Sequence, residues 1–310
     1  MLVISKRGVG MLQILGAATL WGTSGTFAKF LFNNQVVPAD LAQARMTMSF
    51  LILFLVLGIF NHSLLRIQWR DMGFMALFGI AGLGLVQFSY LFAISATNVA
   101  TAIFLQYLAP ALILIYGLVR GIEQLSGAKF AALGLSLFGG YLIVVGTSSG
   151  FALATIGIIA GLVSALGFAF YTIYGKYGLE KYDSWTLLVW GMFFGALAWC
   201  FYQSPTVLIT KYDSMGKLEF LYIAIAATVV PFGLYFKGLK NLSALRTNLI
   251  ATLEPVIGAI TAFLFLGETL SLLQILGCLS VLGGVVLIQY VHSHDLEGLI
   301  KESGNRTESG

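Results

Sequence analysis

Long apolar runs, separated by short stretches of polar and charged residues, succeed one another along almost the whole chain. A hydrocarbon core about 30 Å thick is crossed by roughly 20 residues of α-helix, so apolar runs of this length predict transmembrane helices. The pattern therefore predicts an all-α polytopic membrane protein with ten transmembrane helices. The ten expected spans are Gly10–Leu31, Ala39–Phe60, Met72–Ser95, Asn98–Val119, Ala128–Val145, Phe151–Tyr174, Trp185–Tyr202, Leu218–Phe236, Leu242–Leu266 and Leu270–Val291.

The pattern repeats itself halfway along the chain. Tyr90 and Pro110 are twenty residues apart, and so are Tyr235 and Pro255, each 145 residues further on. Repetition at a fixed offset is the sequence signature of a duplicated structural unit. The chain is thus predicted to contain two copies of a five-helix unit.

The odd number of helices in each copy has a topological consequence. The second copy must enter the membrane from the side opposite to the first, which gives inverted repeats related by a pseudo-two-fold axis in the membrane plane. We expect the first repeat at residues 10–147 and the second at 151–291, followed by a disordered polar tail at 294–310. Such an arrangement is typical of secondary transporters, whose two halves exchange conformations.

Composition agrees with a membrane location and excludes several other classes of protein. Hydrophobic residues make up 58% of the chain and charged residues 10%, with a mean hydropathy of +0.91, whereas soluble domains contain roughly 25% charged residues. The net charge of +4 forms no basic cluster, so no nucleic-acid partner is expected. Cys200 and Cys278 lie in apolar runs without the spacing of a metal site, and we expect neither a metal nor a cofactor.

The distribution of Lys and Arg predicts the orientation. Twelve lie between spans or at the termini on one side, only Lys211 and Lys217 lie on the other side, and Lys29, Arg45 and Arg246 fall within spans. Because positive residues accumulate on the cytoplasmic side, both termini are expected in the cytoplasm of a cell-membrane protein. The twelve are Lys6, Arg7, Arg66, Arg70, Arg120, Lys129, Lys176, Lys181, Lys237, Lys240, Lys301 and Arg306.

The segment Leu253 to Val285, "LEPVIGAITAFLFLGETLSLLQILGCLSVLGGV", resembles the end of the second repeat in the EamA family of the drug/metabolite transporter superfamily. Trp21-Gly22-Thr23-Ser24, Arg45 and Pro110 match further motifs of that family, so the resemblance covers nearly the whole chain. Glu123 is a departure, because it follows Gly121-Ile122 where the second copy has Gly267-Glu268. The resemblance implies a ten-helix transporter of small metabolites.

Ser24 lies between glycines in the first span, and an intramembrane hydrolase is the alternative from another functional class. A serine nucleophile needs a histidine on a neighbouring helix to take its proton, but His62, His292 and His294 all fall in predicted cytoplasmic segments. We therefore expect no enzyme and assign Ser24 to packing or to a bond with a carbonyl of its own helix. On a helical wheel, Thr23 shares with Thr19 and Thr26 a face that is expected to line a cavity, while Ser24 points away.

Glu254 is the most informative residue, because it lies near the middle of the ninth predicted span. An acidic residue there costs about 2.5–3.5 kcal/mol on insertion scales, so it should face the bundle interior. Pro255 frees a backbone carbonyl beside it, a local break of the kind that lines transport sites. Two roles stay open: Glu254 carries a proton that couples transport, or it bonds a neighbouring helix.

Further candidates for the substrate site are aromatic and polar residues at membrane depth. The resemblance implies that the first, third, sixth and eighth helices line the cavity, and uncharged polar groups in the membrane need partners. Arg45 is expected to reach the interface or to bond Asp40 or a carbonyl. The substrate-binding candidates are Trp21, Thr23, Gln87, Tyr90, Gln106, Tyr171, Tyr235 and Asn248.

These observations favour a secondary transporter, an exporter of amino acids or amines by alternating access, in which Glu254 is the candidate for coupling to protons. An organophosphate or nucleotide-sugar exchanger is the alternative, although such a substrate would need several cations in the cavity. The expected partners are a small-molecule substrate and the lipid bilayer, with the protein a monomer or a homodimer.

Overall fold

All secondary structure is helical in the part of the chain that the computed structural model describes, residues 6–122, 126–146, 151–284 and 286–287. The predicted tail at 294–310 lies outside the described residues. The main helices are α1 (Lys6–Asn33), α2 (Pro38–Phe60), α3 (Trp69–Ala96), α4 (Val99–Gln106 and Ala109–Val119), α5 (Gly127–Gly146), α6 (Phe151–Lys181), α7 (Ser184–Trp199), α8 (Ser214–Asn241), α9 (Ala244–Ala251 and Leu253–Leu266) and α10 (Leu272–Gly284).

Six of the described helices are long and apolar enough to cross a membrane, namely α2, α3, α4, α6, α8 and α9. The protein is therefore a multi-pass membrane protein. The other four main helices lie at predicted spans, but α7 has only 16 residues, and the apolar sequence of α1 includes glycine, serine and threonine. The number of ten spans and the direction in which the chain crosses the membrane stay predictions.

The two copies share the way in which a lysine caps a helix. Lys29 Nζ on α1 donates to the carbonyl oxygens of Ile94 at 2.8 Å and Thr97 at 2.7 Å, at the end of α3. At the end of α8, Lys176 Nζ on α6 likewise donates to the carbonyl oxygens of Leu239 and Leu242, both at 2.6 Å. A cation at the last carbonyls of a helix also interacts favourably with the helix dipole. Lys29 therefore caps the end of α3, as Lys176 caps the end of α8.

Both copies also break a helix next to a proline. Pro110 in α4 and Pro255 in α9 have no N–H, so the carbonyls four residues earlier, of Gln106 and Ala251, lose their helical donors. Helix α4 breaks before Ala109 and α9 breaks at Thr252. The break predicted beside Pro255 is thus present, and it leaves the carbonyl oxygen of Ala251 without a helical donor.

Close helix crossings join the copies to each other. Helix α1 packs against α8 and α9, while α6 packs against α3 and α4, so the first helix of each copy lies against the other copy. Glycines allow these approaches: a Cβ at Gly22 would lie 2.8 Å from the carbonyl oxygen of Glu254. In membranes, where lipid and side chains are equally apolar, such small-residue contacts supply much of the packing. The centre of the bundle therefore lies between the two copies.

We expect Gly139→Ala to destabilise the crossing of α5 and α10. A Cβ at Gly139 would lie 2.6 Å from the carbonyl oxygen of Gly277 and 2.7 Å from the amide nitrogen of Val281, and overpacking of this kind costs about 1–3 kcal/mol. Gly134→Ala on the same helix is the matched control, because a Cβ there meets no atom within 4 Å. Thermal unfolding in detergent should show a lower midpoint for Gly139→Ala only, and equal midpoints would contradict the crossing.

Candidate functional site

A small cavity lies at the centre of the bundle, with a volume of about 20 Å³, which is room for roughly one water molecule. Its walls come from α1, α2, α3, α4, α6, α8 and α9, and therefore from both copies. Five aromatic rings, two charged side chains and three uncharged polar side chains supply most of the lining. These are Trp21, Tyr90, Phe168, Tyr171 and Phe232, then Arg45 and Glu254, then Ser24, Gln87 and Gln106.

Six of the nine residues proposed from the sequence meet in this cavity. Trp21 and Tyr171 supply aromatic walls, and the rest contribute polar groups, namely Gln87, Tyr90, Gln106 and Glu254. The convergence follows from the crossings described above, because α1 and α6 carry their aromatic residues into the opposite copy. The role of these residues in substrate binding stays a proposal.

Tyr235 and Asn248 lie behind the cavity wall and do not line it. Their side chains form a buried cluster with Thr172, in which Tyr235 Oη lies 2.7 Å from Thr172 Oγ1. Asn248 Nδ2 donates to both oxygens at 3.1 Å. The ring of Tyr235 packs against that of Trp21 with 5.3 Å between centroids, so the cluster supports the wall from behind.

Thr23 is placed wrongly by the helical wheel of α1. Its side chain is exposed, and its hydroxyl donates to the carbonyl oxygen of Leu20 at 3.0 Å. The inward face instead holds Trp21 and Ser24, which are three residues apart and share one side of the helix. The physical reason is the packing of Gly22 against α9, which leaves Thr19 and Thr23 exposed, whereas Thr26 is buried against Thr261 of α9. Ser24 Oγ donates to the carbonyl oxygen of Trp21 at 2.8 Å, the bond predicted for it.

Glu254 is buried on α9, as predicted, and its partner is Tyr107. Tyr107 Oη lies 2.8 Å from Glu254 Oε2 and 2.6 Å from the carbonyl oxygen of Ala251, which is the carbonyl that Pro255 leaves without a helical donor. Tyr107 was missed by the sequence analysis. A signal was present in the sequence, because Tyr107 lies three residues before Pro110. A side chain at the break of α4 can reach the carbonyl of Ala251, which the corresponding break of α9 leaves free.

Tyr107 has one proton for two acceptors. A phenol carries a single O–H, and Tyr107 is the donor both to the carbonyl oxygen of Ala251 at 2.6 Å and to Glu254 Oε2 at 2.8 Å. The phenol therefore joins the freed carbonyl to the carboxyl and holds Glu254 at the break of α9.

Arg45 does not reach the membrane interface. It is only 3% exposed, its Nε donates to Thr228 Oγ1 at 3.0 Å, and its Nη2 donates to the carbonyl oxygen of Ala227 at 2.9 Å. Bonding to a carbonyl was one of the expected outcomes, but pairing with Asp40 is wrong, since Asp40 bonds Lys211. The reason is the π-helical segment Ile225–Val229 of α8, which offers an acceptor inside the bundle.

Two donors in the cavity wall lack a partner among the described residues. Gln87 Nε2 and Tyr90 Oη are buried and have no hydrogen bond. Buried polar groups are normally satisfied, and an orphan in a site indicates a place where a ligand or water bonds. The cavity wall therefore has two donors without an acceptor, and Arg45 lies in the same wall.

The remaining chemistry of the described residues gives no support to an enzyme. No group of three or more His, Cys, Asp and Glu residues that could hold a metal occurs among them. The cavity lining includes no histidine that could activate Ser24. Aromatic walls around two opposite charges are instead suited to holding a small polar molecule.

Comparison with known proteins gives one family. The model of the EamA-like transporter family matches residues 8–145 and again residues 155–290. An "Uncharacterized inner membrane transporter YicL" of Salmonella typhimurium is 29% identical over 90% of this chain and 94% of its own. An "Uncharacterized transporter" of Archaeoglobus fulgidus is 30% identical over 64% of this chain and 70% of its own. These matches indicate a transporter and not an enzyme.

Two more distant similarities complete the comparison. A protein of Escherichia coli named "Probable amino-acid metabolite efflux pump" is 25% identical over 53% of this chain and 58% of its own. A solved crystal structure aligns with a TM-score of 0.64 over 91% of this chain and 96% of that chain, at 19% identity. The structural likeness concerns the fold alone.

Proposed function

Because the chain belongs to the EamA-like transporter family and is a multi-pass membrane transporter, we propose that it exports small amino acids or amines from the cell by alternating access. The observation that carries the proposal is the central cavity, in which both copies supply walls and Arg45 and Glu254 supply opposite charges. A site between two repeats is open to one side or the other as the repeats move against each other. The distant relation to a protein named as an amino-acid metabolite efflux pump agrees with this substrate class.

Glu254 is proposed to couple transport to protons. It is a buried carboxyl in the cavity wall, where Tyr107 Oη lies 2.8 Å from its Oε2. Release of a proton from Glu254 to one side of the membrane and uptake from the other would supply the energy for accumulation. The sequence contains no nucleotide-binding motif, so a proton gradient is a suitable source of energy for transport.

The alternative substrate class is disfavoured by the charge of the cavity. An organophosphate or nucleotide sugar carries two or more negative charges and is usually held by several cations. Among the described residues, Arg45 alone supplies a cation to the cavity lining, and Glu254 lies in the same wall.

The proposed orientation has both termini in the cytoplasm, because Lys and Arg are in excess on that side.

Counterflow in proteoliposomes tests the proposed function. Vesicles loaded with one unlabelled compound at a time are placed in a trace of the same labelled compound, and a transporter then accumulates the label transiently without any gradient of ions. Amino acids and their decarboxylated amines should give counterflow, and sugar phosphates should not. Counterflow with sugar phosphates alone, or with no member of either set, would overturn the substrate class.

A further inference from the structure

The guanidinium of Arg45 is only partly used by the protein. Its five N–H groups form a fixed fork, and the bonds to Thr228 and Ala227 use two of them. No carboxylate lies within 4.0 Å of Arg45 among the ion pairs of the described residues. A buried cation without an ion pair is costly in a membrane, so an anion is the natural ligand for this position.

Glu254 lies in the wall of the same cavity but does not pair with Arg45. No ion pair joins the two among the described residues, and the carboxyl of Glu254 is bonded to Tyr107 instead. The donors of Gln87 and Tyr90 that lack a partner line the same cavity. The site thus presents N–H and O–H groups without acceptors together with a positive charge without an ion pair, which is the complement of a planar anion rich in acceptors.

We propose that Arg45 binds the carboxylate of the transported molecule, with Gln87 and Tyr90 as additional donors, and that the substrates are therefore α-amino acids and not simple amines. This inference rests on the proposed transport function and narrows its substrate class. One guanidinium matches one carboxylate in a bidentate pair. The aromatic rings of Trp21 and Tyr171 enclose the rest of the molecule.

A series of related ligands tests the assignment on the unaltered protein. L-phenylalanine, phenylalaninamide and phenethylamine share a side chain and an amino group, but only the first has a carboxylate. Binding to the purified transporter, followed by its thermal stabilisation in detergent, should be at least tenfold tighter for phenylalanine than for the other two. The leucine series, with leucinamide and isopentylamine, repeats the comparison with an aliphatic side chain. Equal affinities within both series would overturn the role of the carboxylate.

Substitutions of Arg45 test whether this residue causes the preference for the amino acid over the amine. Arg45→Gln should reduce the affinity for the amino acid at least tenfold and leave that for the amine within twofold, so the preference disappears. Arg66→Gln, at an exposed arginine, is the matched control and should keep the preference. Arg45→Lys keeps the positive charge but loses the planar fork, so its preference for the amino acid should be intermediate between those of the parent and Arg45→Gln. This variant tests the role of Arg45 if Arg45→Gln does not fold. A preference unchanged in Arg45→Lys and in Arg45→Gln would place the carboxylate elsewhere.

Failure of this inference differs from failure of the proposed function. Counterflow of both amino acids and amines without a preference leaves the transporter and removes the carboxylate anchor. Binding with the preference but without counterflow leaves the anchor and overturns transport of these compounds. Preferential binding of inorganic phosphate over phenylalanine would instead assign Arg45 to the alternative class of substrate.

Discussion

Glu254→Gln is expected to abolish accumulation driven by a pH gradient while exchange of substrate continues. Glutamine keeps the shape of the neutral acid and can still bond Tyr107, but it cannot release a proton. The side chain at position 254 then no longer alternates between a protonated and a deprotonated form, whereas the two copies still move against each other around a bound substrate. The loss of accumulation should be complete within detection, and counterflow should stay within a few-fold of the parent.

Proteoliposomes with an imposed pH gradient and the substrate found by counterflow provide the measurement. Glu180→Gln is the matched control, because Glu180 is exposed at the end of α6 and the same change there should preserve accumulation. Glu254→Ala should also reduce exchange, since it removes the bond that joins α9 to α4. If Glu254→Gln accumulates substrate like the parent with the same pH dependence, Glu254 has an architectural role and the coupling group lies elsewhere.

The sequence predicts those features of the site that depend on membrane depth. Glu254 had to face inward because a carboxyl in lipid is costly, and the break beside Pro255 follows from a missing N–H. Tyr90 and Tyr171 could be named because the family resemblance implies that the third and sixth helices line the cavity. The argument for Glu254 needs only the depth of the residue, and the argument for the tyrosines needs only the helix on which each lies.

Features that depend on helix rotation were not available from the sequence. Thr23 and Ser24 are adjacent, and only the contact of Gly22 with α9 decides which of them faces inward. Arg45 near a helix end could reach either water or the interior, and the acceptors offered by the π-helical segment of α8 decide for the interior. Both outcomes arise from contacts between copies that are far apart in the chain, so neither local pattern contains them.

Two polar clusters join the copies on either side of the central cavity. Asp40 at the start of α2, which is 1% exposed, accepts hydrogen bonds at 2.5–2.8 Å from three residues next to α7 and α8. These donors are Gln203, Lys211 and Tyr212. Burial, together with the hydrogen bond to Asp40, raises the pKa of the Tyr212 phenol to about 12, so it remains a donor at physiological pH. We call this group the Asp40 cluster.

The second group lies at the other end of α2. Asp71, at the beginning of α3, accepts from Lys181 at 2.5 Å and from Tyr182, both at the end of α6. We call it the Asp71 cluster. The 23 residues of α2 span about 35 Å, so the two clusters lie on opposite sides of the central cavity. Alternating access then requires one cluster to open while the other stays closed.

The clusters differ in strength because they differ in burial. Asp71 has a side chain that is 22% exposed and Lys181 one that is 45% exposed, and ion pairs in water contribute only about 0–1 kcal/mol. Lys211 is also 44% exposed, but Asp40 is covered and accepts three donors, and hydrogen bonds to a charged group contribute about 1.5–3 kcal/mol. The Asp40 cluster should therefore open less readily than the Asp71 cluster.

Asp40→Asn is expected to open the cavity toward the end where α2 begins, and Asp71→Asn toward the opposite end. A cysteine at position 24 reports access, in a background without Cys200 and Cys278, through its labelling by a membrane-impermeant thiol reagent from each side of sealed vesicles. Asp40→Asn should raise labelling from its own side about tenfold or more, since 1.4 kcal/mol corresponds to a factor of ten. Asp71→Asn should raise labelling from the other side by a few-fold only.

Lys211→Gln separates this effect from a change in helix α2 itself. Asp40 also lies in the first turn of α2, where a negative charge stabilises the helix by about 0.3–1 kcal/mol, so its replacement acts in two ways. Lys211→Gln leaves the carboxylate at the helix start and removes one of the three donors that the other copy supplies. It should increase labelling from the same side as Asp40→Asn, by a smaller factor, because Gln203 and Tyr212 still hold the carboxylate. Labelling that rises equally from both sides would indicate a loosened bundle, and a cavity closed by something other than these two clusters.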